Sequence, residues 1–303
     1  MGRKIMDRSK VTPRVKGKLP GTNARAWIKY HMQYASKSTY VYEVVRDRTA
    51  PAIGPWLTDV DGNILLDFVS HVAAAPFGYN DPEMIDFIKT IPIEDPLRYA
   101  GADFITATAK KPTLKHLPTP ADLHHKLKKI TRPFKFDCSF LTNSGAEAVE
   151  NAFKLCFLKN KRHKHLFGFD GAFHGRTMGS LTMTRSKKVH RTGFPHLPYA
   201  ESLPFCDCQN QCMCGWKIIG IDGKVHNALE IKIHKDIGYI DPKEVALIII
   251  EPVQGEGGYR IANKKFIQEV AKTAKDANIP LVFDEIQSGI GRTGTWWAQA
   301  LRA

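Results

Sequence analysis

Apolar and polar positions follow two different periods along residues 245–294, and the change of period outlines the best-defined unit of the chain. Val245 to Ile250 is a run of six apolar residues, three of them isoleucine, and Leu281-Val282-Phe283 is a second, shorter run. Short runs rich in β-branched residues predict strands buried on both faces. Between them, Phe266, Ile267, Val270, Ala271 and Ala274 share one face of an amphipathic helix. Strand, helix and strand predict a βαβ unit with a right-handed crossover. An acid follows each run, Glu251 after the first and Asp284-Glu285 after the second. Ligands in such sheets lie at the carboxyl ends of the strands, so Glu251 and Asp284 are expected in one crevice.

Similar punctuation occurs upstream. Ser139-Phe140-Leu141-Thr142 predicts a short strand, and the next helix carries Val149, Ala152, Phe153 and Cys156 on one side. Ser144 and Glu147 form S-x-x-E, a capping box. Gly145 and Ala146 open the helix and let backbone N–H groups approach an anion there. The turn suits a phosphate cup, and equally an ordinary capped helix. His165 to Asp170 predicts another strand, leading into Gly171-Ala-Phe-His-Gly-Arg-Thr177. Phe173 and His174 beside glycines suit stacking on a flat ring, and Arg176 suits a bidentate hold on a carboxylate. Each is also common in plain loops.

The N-terminal hundred residues read differently. Residues 1–20 form a basic arm expected to be flexible, and 21–100 an α+β segment. Trp27, Tyr30 and Tyr34 give a helical signal, and Tyr40-Val41-Tyr42 an extended one. Asp61-Gly62 between two alternating runs predicts a β-hairpin, and Gly78 to Pro82 a turn followed by a short helix. The main α/β region is assigned to 101–303. Within it, 104–130 is polar with basic helical character, and 185–240 is expected to be an irregular excursion over the surface.

Composition narrows the function classes. With 43% hydrophobic residues in 303, the chain can bury a substantial core. No apolar run approaches the ~18 residues of a membrane span. The basic start lacks the apolar stretch of a secretory signal, so a cytoplasmic location is the default expectation. The net charge is +14, but beyond the first residues the basic positions are dispersed, with no aromatic-interleaved stripe. Anionic small molecules are therefore favoured as partners over nucleic acid. Of six cysteines, Cys138 and Cys156 lie in apolar stretches and read as core residues. Cys206, Cys208, Cys212 and Cys214 form C-x-C-x3-C-x-C. In a reducing compartment such a cluster is a candidate site for zinc or a similar ion, the alternative being a loop of reduced thiols.

Taken together, Asn143-Ser-Gly-Ala-Glu-Ala148, Phe173-His-Gly-Arg-Thr177, Glu251-Pro-Val-Gln-Gly-Glu-Gly-Gly258 and Phe283-Asp-Glu-Ile-Gln-Ser-Gly-Ile-Gly-Arg-Thr-Gly294 make the chain resemble class III pyridoxal-phosphate aminotransferases. That group includes 4-aminobutyrate, ornithine, acetylornithine and lysine aminotransferases. The resemblance runs from about residue 40 onward. It implies an α/β, PLP-transferase-like (fold type I) large domain with a mainly parallel sheet. It also implies roles: Ser144, Gly145 and Ala146 on the phosphate of pyridoxal 5'-phosphate, Phe173 and His174 against the ring, Asp284 on the ring nitrogen, and Gln287 on the ring hydroxyl. Glu251 and Arg176 would take part in substrate selection, with Arg176 favouring 4-aminobutyrate or another ω-amino acid as donor to a 2-oxo acid. Full-length family forms are expected as homodimers.

One family element has no match. The lysine that forms the Schiff base with the cofactor follows the aspartate in the family, yet Glu285 to Ala303 contains no lysine. The later strands of the large sheet and the C-terminal small domain are also unmatched. The expectation is a truncated aminotransferase, inactive alone, with Trp296 and Trp297 short of packing partners. Two alternatives stay open: an aminomutase or amino-acid racemase of the same family, and a non-catalytic module binding metal or nucleic acid.

Overall fold

The computed structural model describes residue 7 and residues 9–36, 43–91, 107–112, 118–159 and 164–301. The extended signal at Tyr40-Val41-Tyr42 and all of 92–106 lie outside the described residues. The chain divides into two compact units, Met1–Lys126 and Leu127–Ala303.

The first unit contains helix α1 (Thr22–Tyr34), strands β1 (Trp56–Thr58) and β2 (Ile64–Leu66), and helix α2 (Pro82–Thr90). The expected hairpin is present, with Trp56 opposite Leu66 and Thr58 opposite Ile64. Its connection is longer than a two-residue turn, because the buried Asp59 organises it. Asp59 Oδ1 accepts the amides of Asp61 at 2.9 Å and Asn63 at 2.8 Å. Gly62 supplies the left-handed position, with φ of 78°. Asp61 in turn caps α1 from outside, accepting the amides of Asn23 at 2.8 Å and Ala24 at 3.0 Å where Gly21 has no side chain to do so. Arg14 of the basic arm bridges Ile64. Ala52, Leu57 and Tyr79 form the small core.

Helix α3 (Pro120–Ile130) leads into the second unit. There follow α4 (Gly145–Lys159), β3 (His165–Phe169), α5 (Met178–Met183), α6 (Lys188–Arg191), β4 (Ala200–Leu203), β5 (Lys217–Ile219), β6 (Val225–Asn227), α7 (Ala228–Ile233), β7 (Val245–Ile250), β8 (Val253–Gln254), β9 (Arg260–Ile261), α8 (Lys264–Asp276) and β10 (Leu281–Phe283). The main sheet has the order β10-β7-β3-β4, with every neighbouring pair parallel. All six residues of β7 are buried. Leu247 and Ile249 meet Val149, Phe153 and Cys156 of α4 on one face. Ile248 and Ile250 meet Phe266, Ile267, Val270 and Ala274 of α8 on the other. Helices on both faces explain why this strand reads as an unbroken apolar run.

Several expectations are corrected. β10 is only half-buried, since it is the edge strand with β7 on one side. Residues 139–142 form no strand: Phe140 is 76% exposed, and apolar residues without a neighbouring ladder cannot make a sheet. Cys138, in that same stretch, is exposed rather than a core residue. The segment 185–240 is not a surface excursion. It contributes edge strand β4, the β5–β6 hairpin and capped helix α7, and it places Phe205, Trp216 and Leu229 in the core. Ala200-Glu-Ser-Leu203 hid this because an edge strand needs few apolar residues. Trp297 keeps a partner, its indole N–H donating to the Ile130 carbonyl at 3.1 Å. Trp296 is exposed.

Candidate active site

The carboxyl ends of β3, β7 and β10 carry the predicted residues. Glu251 directly follows β7 and is buried, its Oε2 accepting the Phe173 amide at 2.9 Å. Burial pushes its carboxyl up to about 9, reinforced by the Asp284 carboxylate, while the amides of Phe173 and Gly255 pull the other way. Glu251 therefore keeps its proton at neutral pH. Asp284 directly follows β10, and its amide donates to the Ile250 carbonyl at 2.8 Å. Its Oδ2 lies 2.7 Å from His174 Nδ1, with both side chains buried. Its Oδ1 accepts the Ile286 amide at 3.1 Å. His174 Nε2 is buried without a hydrogen-bond partner among the described residues.

The loop carrying Phe173 and His174 is fastened from below. Thr184 Oγ1 accepts the His174 amide at 3.0 Å and donates to the Gly175 carbonyl at 2.9 Å. Glu150, on α4, accepts Thr177 Oγ1 at 2.6 Å and the Ser180 amide at 2.9 Å. Gly175 has φ of 127°, and a Cβ there would stand 2.7 Å from the Ala146 Cβ. That close approach seats the loop on the first turn of α4. Gly145 meets the Ile286 side chain, where an added Cβ would lie 2.9 Å away. Gly255 lies against the Gln287 side chain, whose amide end would have to move to admit a Cβ. These contacts bring Ser144, Gly145, Ala146, Phe173, His174, Glu251, Asp284 and Gln287 into one neighbourhood.

The start of α4 differs in detail from the predicted capping box. Ser144 Oγ accepts the Glu147 amide at 3.2 Å, but Glu147 reaches back to the Asn143 amide, at 2.7 Å. The first-turn amides at Gly145 and Ala146 have no intrahelical acceptor, as at any helix N-terminus. Phe173 is half-buried, its ring centroid 5.3 Å from that of His190 at 68°. Arg176 is exposed and makes no hydrogen bond or ion pair to another described residue, so the structure does not gather it with the two acids. Glu150 and Thr184 were not singled out in the sequence, where they look like ordinary helix and loop polar residues. The same is true of Gln254, whose Nε2 donates to the Asp170 carbonyl at 2.8 Å.

This set fits pyridoxal phosphate at three points: open helix-terminal amides for a phosphate, an aromatic face for a ring, and a buried carboxylate for a ring nitrogen. It lacks a lysine following Asp284.

The profile of the aminotransferase class-III family matches residues 42–302, and the chain belongs to that family. It is 32% identical over 275 residues to the probable 4-aminobutyrate aminotransferase of Bacillus subtilis, covering 90% of this chain and 58% of that protein. It is 28% identical over 295 residues to the alanine/serine racemase of Pyrococcus horikoshii, covering 94% and 58% respectively. Among solved structures, the lysine aminotransferase from M. tuberculosis superposes with a TM-score of 0.67 at 24% identity, covering 90% of this chain and 61% of that one. The α/β fold with its parallel sheet is that of the fold type I aminotransferases. The chain spans less than two thirds of the length of these relatives. No helix among the described residues is long and apolar enough to cross a membrane.

Proposed function

We propose that this chain provides the cofactor-holding part of a pyridoxal-phosphate-dependent transaminase, which moves an amino group from an amino acid to a 2-oxo acid. The observation that carries this reading is the convergence of the α4 N-terminus, Phe173, Glu251 and Asp284 at adjacent strand ends. When bound, the cofactor supplies an electron sink for charge developing on the substrate carbon. Gly145 and Ala146 amides with Ser144 hold the phosphate. Phe173 covers one ring face, and Gln287 meets the ring hydroxyl. Asp284, oriented by His174, keeps the ring nitrogen protonated. Glu251 presents a neutral carboxyl, able to donate a hydrogen bond to a cofactor or substrate oxygen.

A donor whose carboxylate lies away from its amine, such as 4-aminobutyrate, is the preferred substrate class. The relatives named 4-aminobutyrate aminotransferase support this. The racemase relative supports a second reading in which the same site inverts an amino-acid centre. Since no lysine follows Asp284, we further propose that the 303-residue chain alone binds the cofactor without covalent attachment and does not turn over. Full-length forms are proposed to be homodimers.

Titration with pyridoxal phosphate, read by absorbance and by borohydride trapping, tests the reading. Saturable binding abolished by Asp284→Ala and no specific trapped lysine are expected. Binding indifferent to Asp284→Ala overturns the site assignment. Nitrogen-labelled donor assays separate transamination from racemisation, and turnover by this chain overturns the claim of inactivity.

A further inference from the structure

The cysteine cluster is separate from the strand-end residues above and finds no role in their chemistry. The structure gathers it nonetheless. The Sγ atoms of Cys206, Cys212 and Cys214 all lie within 4.8 Å of one another. Cys206 and Cys212 are 3.8 Å apart, and Cys212 and Cys214 are 3.6 Å apart. Four sulfurs held tetrahedrally at ~2.3 Å from one ion would be about 3.8 Å from each other. Cys208 lies outside this trio but on the same loop, two residues from Cys206, with its carbonyl held by Asn263. Three cysteines of C-x-C-x3-C-x-C thus meet around one point, with the fourth adjoining them. The spacing also selects the kind of site. An iron–sulfur cluster divides its thiolates among several irons and sets them farther apart, whereas a single tetrahedral ion requires this close group.

The loop is held by contacts that need no ion. Arg260 grips Asp207 at 2.8 and 3.0 Å and the Phe205 carbonyl at 3.1 Å. Asn263 donates through its amide to the Cys206 carbonyl at 2.9 Å and through Nδ2 to the Cys208 carbonyl at 2.7 Å. Cys206 itself is buried against Phe205, Trp216 and Phe266.

We propose that Cys206, Cys208, Cys212 and Cys214 bind one zinc ion through four thiolates, pinning the Phe205–Trp216 loop to the core of the second unit. On binding, the four thiols release their protons to solvent as four S–Zn bonds form, with no change of oxidation state. Four protein ligands leave no open coordination position, so the ion is structural. Its loop carries Asp207, which holds Arg260. Arg260 approaches Gln254 at 3.3 Å, and Gln254 holds the Asp170 carbonyl ahead of the Phe173 loop.

The test is elemental analysis of the full chain purified anaerobically without chelator, followed by exchange of zinc for cobalt. One zinc per chain is expected, with cobalt giving thiolate charge-transfer and tetrahedral visible bands. Cys206→Ser and Cys214→Ser should lower the zinc content at least fivefold, while Cys138→Ser leaves it unchanged. In wild-type protein, chelation should expose the loop thiols to a thiol reagent and lower the melting temperature, a readout independent of variant folding. Zinc below one tenth per chain, even after anaerobic reconstitution, would overturn the proposal. So would iron accompanied by acid-labile sulfide, disulfides within the loop, or zinc retained in the Cys206→Ser and Cys214→Ser chains.

Discussion

Glu251→Gln isolates the most unusual group in the site. The wild-type carboxyl is buried beside Asp284, and its folded value is about 9 against an ordinary 4.5. Because the folded value lies above the unfolded one, the stability tied to its proton is complete below about pH 4.5. It is then lost progressively as the pH rises toward about 9. Within that window the unfolded chain has released this proton and the folded chain still holds it, which costs about 1.4 kcal/mol per pH unit. From about pH 5.5 to about pH 8.5 the loss from this one group is therefore about 4 kcal/mol. Glutamine keeps an oxygen to accept the Phe173 amide, fills nearly the same volume and cannot ionise. Urea unfolding of both proteins at several pH values across this window, followed by the fluorescence of the buried Trp216, measures the difference. The wild-type stability should fall by about 4 kcal/mol more than that of the variant. Parallel stability curves would refute the claim that Glu251 is held neutral by its surroundings.

Three further outcomes follow from the packing. Gly175→Ala forces a side chain into a φ of 127° and to 2.7 Å from Ala146; it should cost about 2–3 kcal/mol in thermal or urea unfolding and weaken pyridoxal phosphate binding in the same absorbance titration. His174→Ala leaves the buried Asp284 Oδ2 without its 2.7 Å partner and should destabilise by about 2–3 kcal/mol, with His174→Asn recovering part of the loss. Phe266→Ala empties the centre of an aromatic group in which Trp216 lies at 4.7 Å and Phe169 at 5.3 Å; a loss of about 3–5 kcal/mol is expected, with no change in the local contacts of Glu251.

The sequence alone determined the parts of this protein that rest on local pattern. The unbroken apolar run of β7 is legible because helices cover both its faces, and the period of α8 because one stripe must meet that strand. The acids at the strand ends and the glycines at close approaches were legible for a similar reason, since few residue types serve those positions. Tertiary structure decided the rest. Edge strand β4 needs few apolar residues, so its sequence carries no strand signal, and residues 139–142 carry the signal but find no partner. Nothing in the chain order shows that His174 meets Asp284 across 110 residues, or that Glu251 is buried deeply enough, with Asp284 nearby, to keep its proton. Such couplings depend on distances through space. Only the folded sheet, by setting β3, β7 and β10 side by side, fixes them.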